Sequence, residues 1–300
     1  MTKEMDYFQY HLEDNLWRLH VDLIENNYRH GGYRHFTIKE SKRRDIAVAS
    51  IRDRVCHRLA YEYLVAEFDR TFIYDAWSCR KDKGVVGAIE RTQIKLKEYP
   101  RSWVWRADIS KFFDNVDQRK LLHIIFRKII DKNAIRLVEN IIRSYSIGNS
   151  KQSVRCGIPI GNLTSQVFAN IYLNEFDRHV KHDLKPQFYL RYGDDFIIIT
   201  ESKEETALMR EKAVTFLLDV LSLQINRKND IIVPVRRGLS FLGTVIYPTG
   251  RRLKKNIWKR AQERLNATNV SSYSGLVKQH FIKKVRDWDW HVRESISEKF

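Results

Sequence analysis

Residues 189–200 read YLRYGDDFIIIT, with two adjacent acidic residues, Asp194 and Asp195, between apolar, β-prone flanks. Neighbouring carboxylates repel each other and strands disfavour Asp, so the pair needs a place where it can meet solvent or a cation. Gly193-Asp194 supplies one. Two turn residues with Gly first suit a tight hairpin, with FYLRY leading in and DFIIIT leading out. Taken alone, an ordinary polar turn explains the stretch. A third carboxylate changes the reading, because Asp108 ends the run WVWRAD (103–108) and so stands at a second strand tip. Carboxylates on neighbouring strand tips make a hard-oxygen site of the kind Mg²⁺ takes, with substrate phosphates completing its shell. Two such ions can clamp the attacking and leaving oxygens of an in-line phosphoryl displacement.

The rest of the chain is consistent with a phosphate-rich partner. Its 300 residues carry 54 Lys and Arg against 37 Asp and Glu, a net charge of +17. A surface with that much self-repulsion fits a polyanion, either nucleic acid or an anionic membrane. No run of 18 apolar residues is present to span a bilayer, and the opening MTKEMDYFQYHLEDNLW is a mixed-charge helical pattern rather than a signal peptide. Nucleic acid is therefore the better reading. Cys56, Cys79 and Cys156 are far apart and form no zinc spacing, which fits a reducing, cytoplasmic setting. His179 and His182 share a helical face but have no third ligand nearby, and two Asn-X-Ser/Thr matches at Asn162 and Asn269 carry no meaning without a secretory signal.

Periodicity and breakers predict helices over about 6–27, 51–68 and 84–98, the last stopping at Pro100. A strand follows at 103–109, then two helices within 117–145. Apolar positions Phe168, Ile171, Tyr172, Phe176 and Val180 predict one buried face of a helix over 163–182. The hairpin comes next, then a helix over about 203–221, short strands near 223–233 and 240–246, and a helical last fifty residues. The segment between the first two helices reads as basic. Strands separated by helices around an antiparallel hairpin give the α+β class.

The motifs, taken together, resemble the reverse transcriptase family. RADISKFFDNV (106–116), GIPIGNLTSQ (157–166), YGDD (192–195) and FLG (241–243) occur in the order and rough spacing of its palm. Upstream, FTIKESKRRDIAVASIRDRVCHRL (36–59) and FIYDAWSCRKDKGVVGAI (72–89) are similar to its fingers segments. The resemblance covers about residues 28–250. It implies a right-hand polymerase fold: an N-terminal helix and fingers over 1–100, a palm with an antiparallel sheet over 101–247, and a short helical thumb over 248–300. It also implies two-metal nucleotidyl transfer from dNTPs on a template RNA, with Mg²⁺ as the ion and Mn²⁺ as a substitute.

Residue roles follow from the same resemblance. Asp108, Asp194 and Asp195 would hold the metals, with the backbone carbonyl of Ile109 assisting and Asp195 the weakest candidate ligand. Arg44, with Lys42 or Lys39 nearby, would grip the incoming triphosphate; a solvated basic loop is the bland alternative. Phe113 would pack under the sugar and exclude a 2′-hydroxyl, while one of Phe112 and Phe113 must be core if the segment is extended. Lys228 in LQINRKND matches the position of a proton donor to the leaving pyrophosphate, or is simply a surface lysine. FLG resembles the primer grip, or is plain hairpin core. Ile160, Gly161 and Gln166 line the nucleotide side of the middle motif. Lys254, Lys255, Lys259, Arg260 and Arg264, interleaved by Trp258, form a basic helical stripe suited to following the RNA/cDNA duplex backbone.

Most family members carry Gln before the Gly of the middle motif and Pro after its Ser. Here IGNLTSQ, with Ile160 and Gln166, resembles the reverse transcriptases of diversity-generating retroelements, as does NNYRHGGYRHFTI (26–38). That resemblance implies cDNA synthesis with errors at template adenines. It also implies a small basic helical-bundle partner, the accessory variability determinant. Since both proteins are basic, their assembly is expected to lean on RNA as a shared polyanion. A retron-like or phage-defence reverse transcriptase is the alternative. An RNA-dependent RNA polymerase would place Asp where Phe113 stands, and an inactive RNA-binding scaffold would not need all three carboxylates.

Overall fold

A computed structural model describes residues 3–39, 43–147, 155–266 and 268–297. Two short helices, α1 (Lys3–Tyr10) and α2 (Leu12–Ile24), lead into a hairpin of β1 (Tyr33–Lys39) and β2 (Arg43–Ala49). This hairpin is the basic segment that the sequence left without strands. Its alternation is hidden because β1 is largely solvent-exposed and β2 opens on the charged Arg43, Arg44 and Asp45. Helix α3 (Ile51–Phe68) starts where Ser50 accepts from the Asp53 amide, an N-cap that satisfies one orphan donor. Then come α4 (Val85–Glu98), β3 (Trp103–Asp108), a single helical turn α5 (Phe112–Asn115), α6 (Gln118–Phe126), α7 (Lys132–Arg143) and α8 (Leu163–His179).

The hairpin of the opening stretch is β4 (Phe188–Tyr192) and β5 (Asp195–Thr200), joined by Gly193-Asp194. Helix α9 (Lys203–Asp219) is capped by Ser202. Strands β6 (Ile231–Pro234), β7 (Leu239–Phe241), β8 (Thr244–Tyr247) and β9 (Gly250–Leu253) follow, then α10 (Lys255–Glu263), α11 (Val270–His280) and α12 (Val285–Ser297). The C-terminal helices are as the sequence predicts, with β9 added before them. No helix among the described residues is long and apolar enough to cross a membrane.

The central sheet has strand order β4-β5-β3-β6 and is antiparallel throughout. Both of its faces are covered, which is why β5 reads as an unbroken apolar run. Phe196 and Ile198 join Trp105, Ala107 and Tyr189 in the main core with α8 and α9. Ile197 and Ile199 pack with Val104, Leu190 and α4 residues Ala88, Ile89 and Leu96 on the opposite side. A third, smaller core under α10–α12 gathers Leu253, Ala261, Leu265, Val277 and Trp288.

Helix α8 departs from its expected single buried face. Twelve of its residues are buried, among them the polar Asn170 and Asp177. They are tolerated because β4 supplies partners. Arg191, fully buried, donates to both carboxylate oxygens of Asp177 at 2.7 and 2.6 Å and to Asn170 Oδ1 at 3.1 Å. Tyr189 Oη also donates to Asp177, at 2.6 Å. Removing one member of such a pair strands a buried charge. Asp177→Ala should therefore lower the unfolding free energy by about 3–5 kcal/mol, measured by urea denaturation. A loss below about 1 kcal/mol would show that Arg191 finds another counter-ion.

Candidate active site

The β3–β5 register sets Asp108 directly opposite Asp195, and the Ile109 amide donates to the Asp194 carbonyl at 3.1 Å. The two strand tips bearing the three acids thus lie side by side, as the sequence predicts. Gly193 takes φ +64°, the left-handed value that the tight turn requires. Its carbonyl accepts from Arg191 Nη1 at 3.0 Å, so the buried pair beneath the sheet also holds the turn.

The acids have unequal surroundings. Asp195 is gripped two-pronged by Arg106, Nε to Oδ1 at 3.0 Å and Nη2 to Oδ2 at 2.7 Å. Burial pushes the Asp195 carboxyl above the usual range, Arg106 pulls it back, and nearby Asp108 adds to the rise. Asp108 Oδ2 accepts from Asn229 Nδ2 at 2.8 Å, and its backbone carbonyl accepts from the Asn226 amide at 2.8 Å. Asp108 Oδ1 is buried and has no hydrogen-bond partner among the described residues. A buried oxygen without a donor is costly unless something positive meets it, so this atom fits a cation. Among the described residues, however, no three carboxylate, His or Cys side chains close around a common ion position. Asp194 is half-buried at the turn.

The turn after α9 completes this side of the site. Asp230 fixes it, accepting from Trp105 Nε1 and Arg210 Nε at 2.8 Å each. Lys228 is exposed in that turn, between the two asparagines that touch Asp108. The FLG turn lies on another side. Its Phe241 ring is 6.0 Å from the Arg106 guanidinium, and Leu242 and Gly243 both take positive φ. Lys254 is half-buried there. Burial lowers its ammonium pKa first, neighbouring Arg106 second, and Asp195 opposes them.

The middle motif packs on β2. Ile160, half-buried, accepts the Ala47 amide at 2.9 Å through its carbonyl. Gly161 takes φ +113°, and a Cβ there would meet Ile46 at 2.7 Å, so the close approach excludes larger residues. Asn162 clamps the strand by donating to the Ala47 carbonyl at 2.7 Å and accepting the Ala49 amide at 3.1 Å. Gln166 is exposed on α8, and Arg44 is exposed on β2 opposite Ile38; Lys42 lies outside the described residues.

Phe112 is core and Phe113 half-buried, as expected, but for a different reason. The segment is the helical turn α5, entered through Lys111 at φ +43°, rather than extended chain. In the C-terminal stripe, Lys255 and Lys259 are exposed one turn apart on α10, while Arg260 is half-buried. Trp258 turns inward, 5.2 Å from Phe281 and 5.8 Å from Trp288. Its ring belongs to the small core rather than to the basic face. Sequence reading missed Arg106, Asn226, Asn229 and Asn162. For Arg106 a signal existed, since it lies two residues before Asp108 on the same strand face.

Residues 30–246 match the family described as reverse transcriptase (RNA-dependent DNA polymerase). Protein YkfC of Escherichia coli K12 is 25% identical over 263 residues, 75% of this chain and 69% of that protein. The group II intron-encoded protein LtrA of Lactococcus lactis is 22% identical over 204 residues, 47% of this chain and 34% of its own length. Among solved structures, apo telomerase from Candida tropicalis superposes with a TM-score of 0.56 at 12% identity, covering 88% of this chain and 57% of that one. Telomerase from Candida albicans, in complex with a fragment of telomeric RNA, gives 0.53 at 12% identity over 85% of this chain and 54% of that one. At such identities the likeness is one of fold. With the family matched over most of its length and the strand tips arranged as described, the chain belongs to the reverse transcriptase (RNA-dependent DNA polymerase) family and has the right-hand polymerase fold.

Proposed function

We propose that the chain copies a retroelement template RNA into cDNA and does so with errors at template adenines, as in diversity-generating retroelements. The observation that carries the polymerase reading is the unpartnered, buried Asp108 Oδ1 beside the Asp194-Asp195 turn. Asp108, Asp194 and the Ile109 carbonyl would hold divalent ions, Mg²⁺ or Mn²⁺. Bound there, the ions would stabilise charge on the primer 3′-hydroxyl and on the pyrophosphate leaving group. Asn229 fixes the Asp108 rotamer, leaving one oxygen for that task. Asp195, whose charge Arg106 offsets, would be the weakest of the three metal ligands. Lys228 gives its proton to the departing pyrophosphate. Arg44 and Lys42 hold the triphosphate, and Lys255 and Lys259 follow the duplex backbone without reading sequence.

Asp108→Asn should reduce dNTP incorporation on a primed RNA template by at least about a thousandfold, since charge stabilisation of this kind is worth several kcal/mol. RNA binding should persist. Near wild-type incorporation by this variant would remove the assignment of the site.

Phe113 is the proposed sugar gate. Its half-buried ring leaves one side open, and replacing it with Ala removes the wall against which a 2′-hydroxyl would clash. Phe113→Ala should erode the preference for dNTP over rNTP by about tenfold to a hundredfold, the range of a 1–3 kcal/mol steric contact. Unchanged discrimination would make Phe113 a packing residue.

Fidelity is the property that separates this reading from a generic reverse transcriptase. Gln at position 160 offers a donor and an acceptor near the base pair, whereas Ile160 only packs. A lost polar contact of about 1–3 kcal/mol converts to about tenfold to a hundredfold in error ratio. The backbone bond from Ile160 to Ala47 does not involve the side chain, so Ile160→Gln keeps the loop's anchor. The variant should misincorporate less, above all opposite adenine, when cDNA from one adenine-containing template is sequenced. An equal error spectrum with reduced yield would assign Ile160 to packing alone.

A further inference from the structure

The charge of the chain is not uniform. Residues 3–27 carry six Asp and Glu against two Lys and Arg, net −4, in a chain of net +17. Three of the six are engaged within the fold: Glu4 accepts the Ile51 amide at 2.8 Å, Asp22 pairs with Arg52 at 2.6 Å, and Glu25 accepts from Asn27 Nδ2 at 3.0 Å. Asp6, Glu13 and Asp14 are exposed and form no ion pair among the described residues. The same two helices expose Tyr7, Tyr10, Leu12, Leu16, Trp17 and Ile24, with Trp17 at 67% and Tyr10 at 85% exposure.

These apolar groups are ordered rather than scattered. Leu12 and Leu16 are the exposed members of a line on α2 that continues through buried Leu19 to half-buried Leu23, and Glu13, Trp17 and Ile24 lie along its flank. The line runs into a cavity of about 230 Å³ between α2, α3 and α7, walled by Leu23, Leu59, Tyr63 and Ala134. Asp131 is the one charged residue among those lining it. An apolar surface of this extent, rimmed by charge, marks an interaction site.

The sign of the rim decides between occupants. RNA binds through Lys and Arg neutralising phosphates, and unpaired carboxylates oppose it; anionic lipid is opposed for the same reason. A positively charged protein is favoured, both in encounter and in register. We propose that the exposed face of α1 and α2 docks a basic protein whose contact surface sets apolar side chains among Lys and Arg. The inference rests on the function proposed above, under which the basic helical-bundle accessory protein has that chemistry. Net charge predicts that two basic proteins repel and need RNA between them. The local charge predicts direct contact.

The test uses the full chain and the purified accessory protein, both nuclease-treated, with complex formation followed by analytical ultracentrifugation. Two double variants probe the face, Glu13→Lys with Asp14→Lys and Leu16→Asp with Trp17→Asp. The wild type should bind without RNA, each double variant should bind at least tenfold more weakly, and all three should incorporate dNTPs equally on a primed template. Undiminished binding by both variants would overturn the docking face while leaving the accessory partner in place. A wild-type complex that forms only with RNA present would overturn direct contact. A wild-type dimer formed by the chain alone and abolished by the Leu16 and Trp17 changes would assign the face to a second copy instead. Failure of every form to bind, with or without RNA, would remove both the inference and the accessory partner from which it proceeds.

Discussion

The buried ion pair between Arg191 and Asp177 is the constraint on which the geometry of the candidate site depends. A guanidinium with no exposure to water is tolerable only if its charge and its donors are met, and here α8 meets them with Asp177 and Asn170. The remaining reach of the same group goes to the Gly193 carbonyl. One side chain therefore ties the helix under the sheet to the turn above it. Main-chain bonds from Arg191 to Asp75 and Trp77 add the segment after α3 to the same anchor. The position of Asp194 and Asp195 is thus set from below, by desolvated groups that cannot shift without exposing a charge to the core.

Above that anchor the site is built on unequal carboxylates. Two acids facing each other across a strand pair would share a raised proton affinity if both stood alone. Arg106 breaks the symmetry by neutralising Asp195, and Asn229 occupies one oxygen of Asp108. Asp108 Oδ1 is left buried with no hydrogen-bond partner among the described residues, and it is the atom proposed to meet a cation. Lys254, at the start of the C-terminal helices, feels both Arg106 and Asp195. The acid pair is thereby in electrostatic contact with the segment expected to carry the duplex.

Much of this was legible in the sequence. The hairpin, the third carboxylate at a strand tip and most of the helix limits follow from alternation, turn residues and caps, which are local signals. What escaped is non-local. Arg106, Asn162 and Asn229 act across separations of 89 to 121 residues in the chain, and nothing near them in sequence names their partners. Helix α8 looked one-sided because Asn170 and Asp177 are polar, and only Arg191 explains why they can be buried. Trp258 read as part of the basic helical stripe. Its ring instead fills a small core that would otherwise have little apolar volume to share among three short helices. The β1–β2 hairpin was obscured by charge on both strands.

The middle motif shows why such long-range contacts matter for function. Asn162 binds β2 at two backbone groups, Ile160 binds it at a third, and Gly161 lets the two backbones approach closely. The β2 strand is thus fixed at its Ala47–Ala49 end, while Arg43, Arg44 and Asp45 at its far end remain exposed. Under the proposed roles, Arg44 stands at the exposed end of β2 and Ile160 beside its fixed end. Under those roles, nucleotide grip and base-pair inspection would meet at one short loop. The Ile160 side chain takes no part in the bonds that hold the hairpin in place, so replacing it would leave that anchor intact.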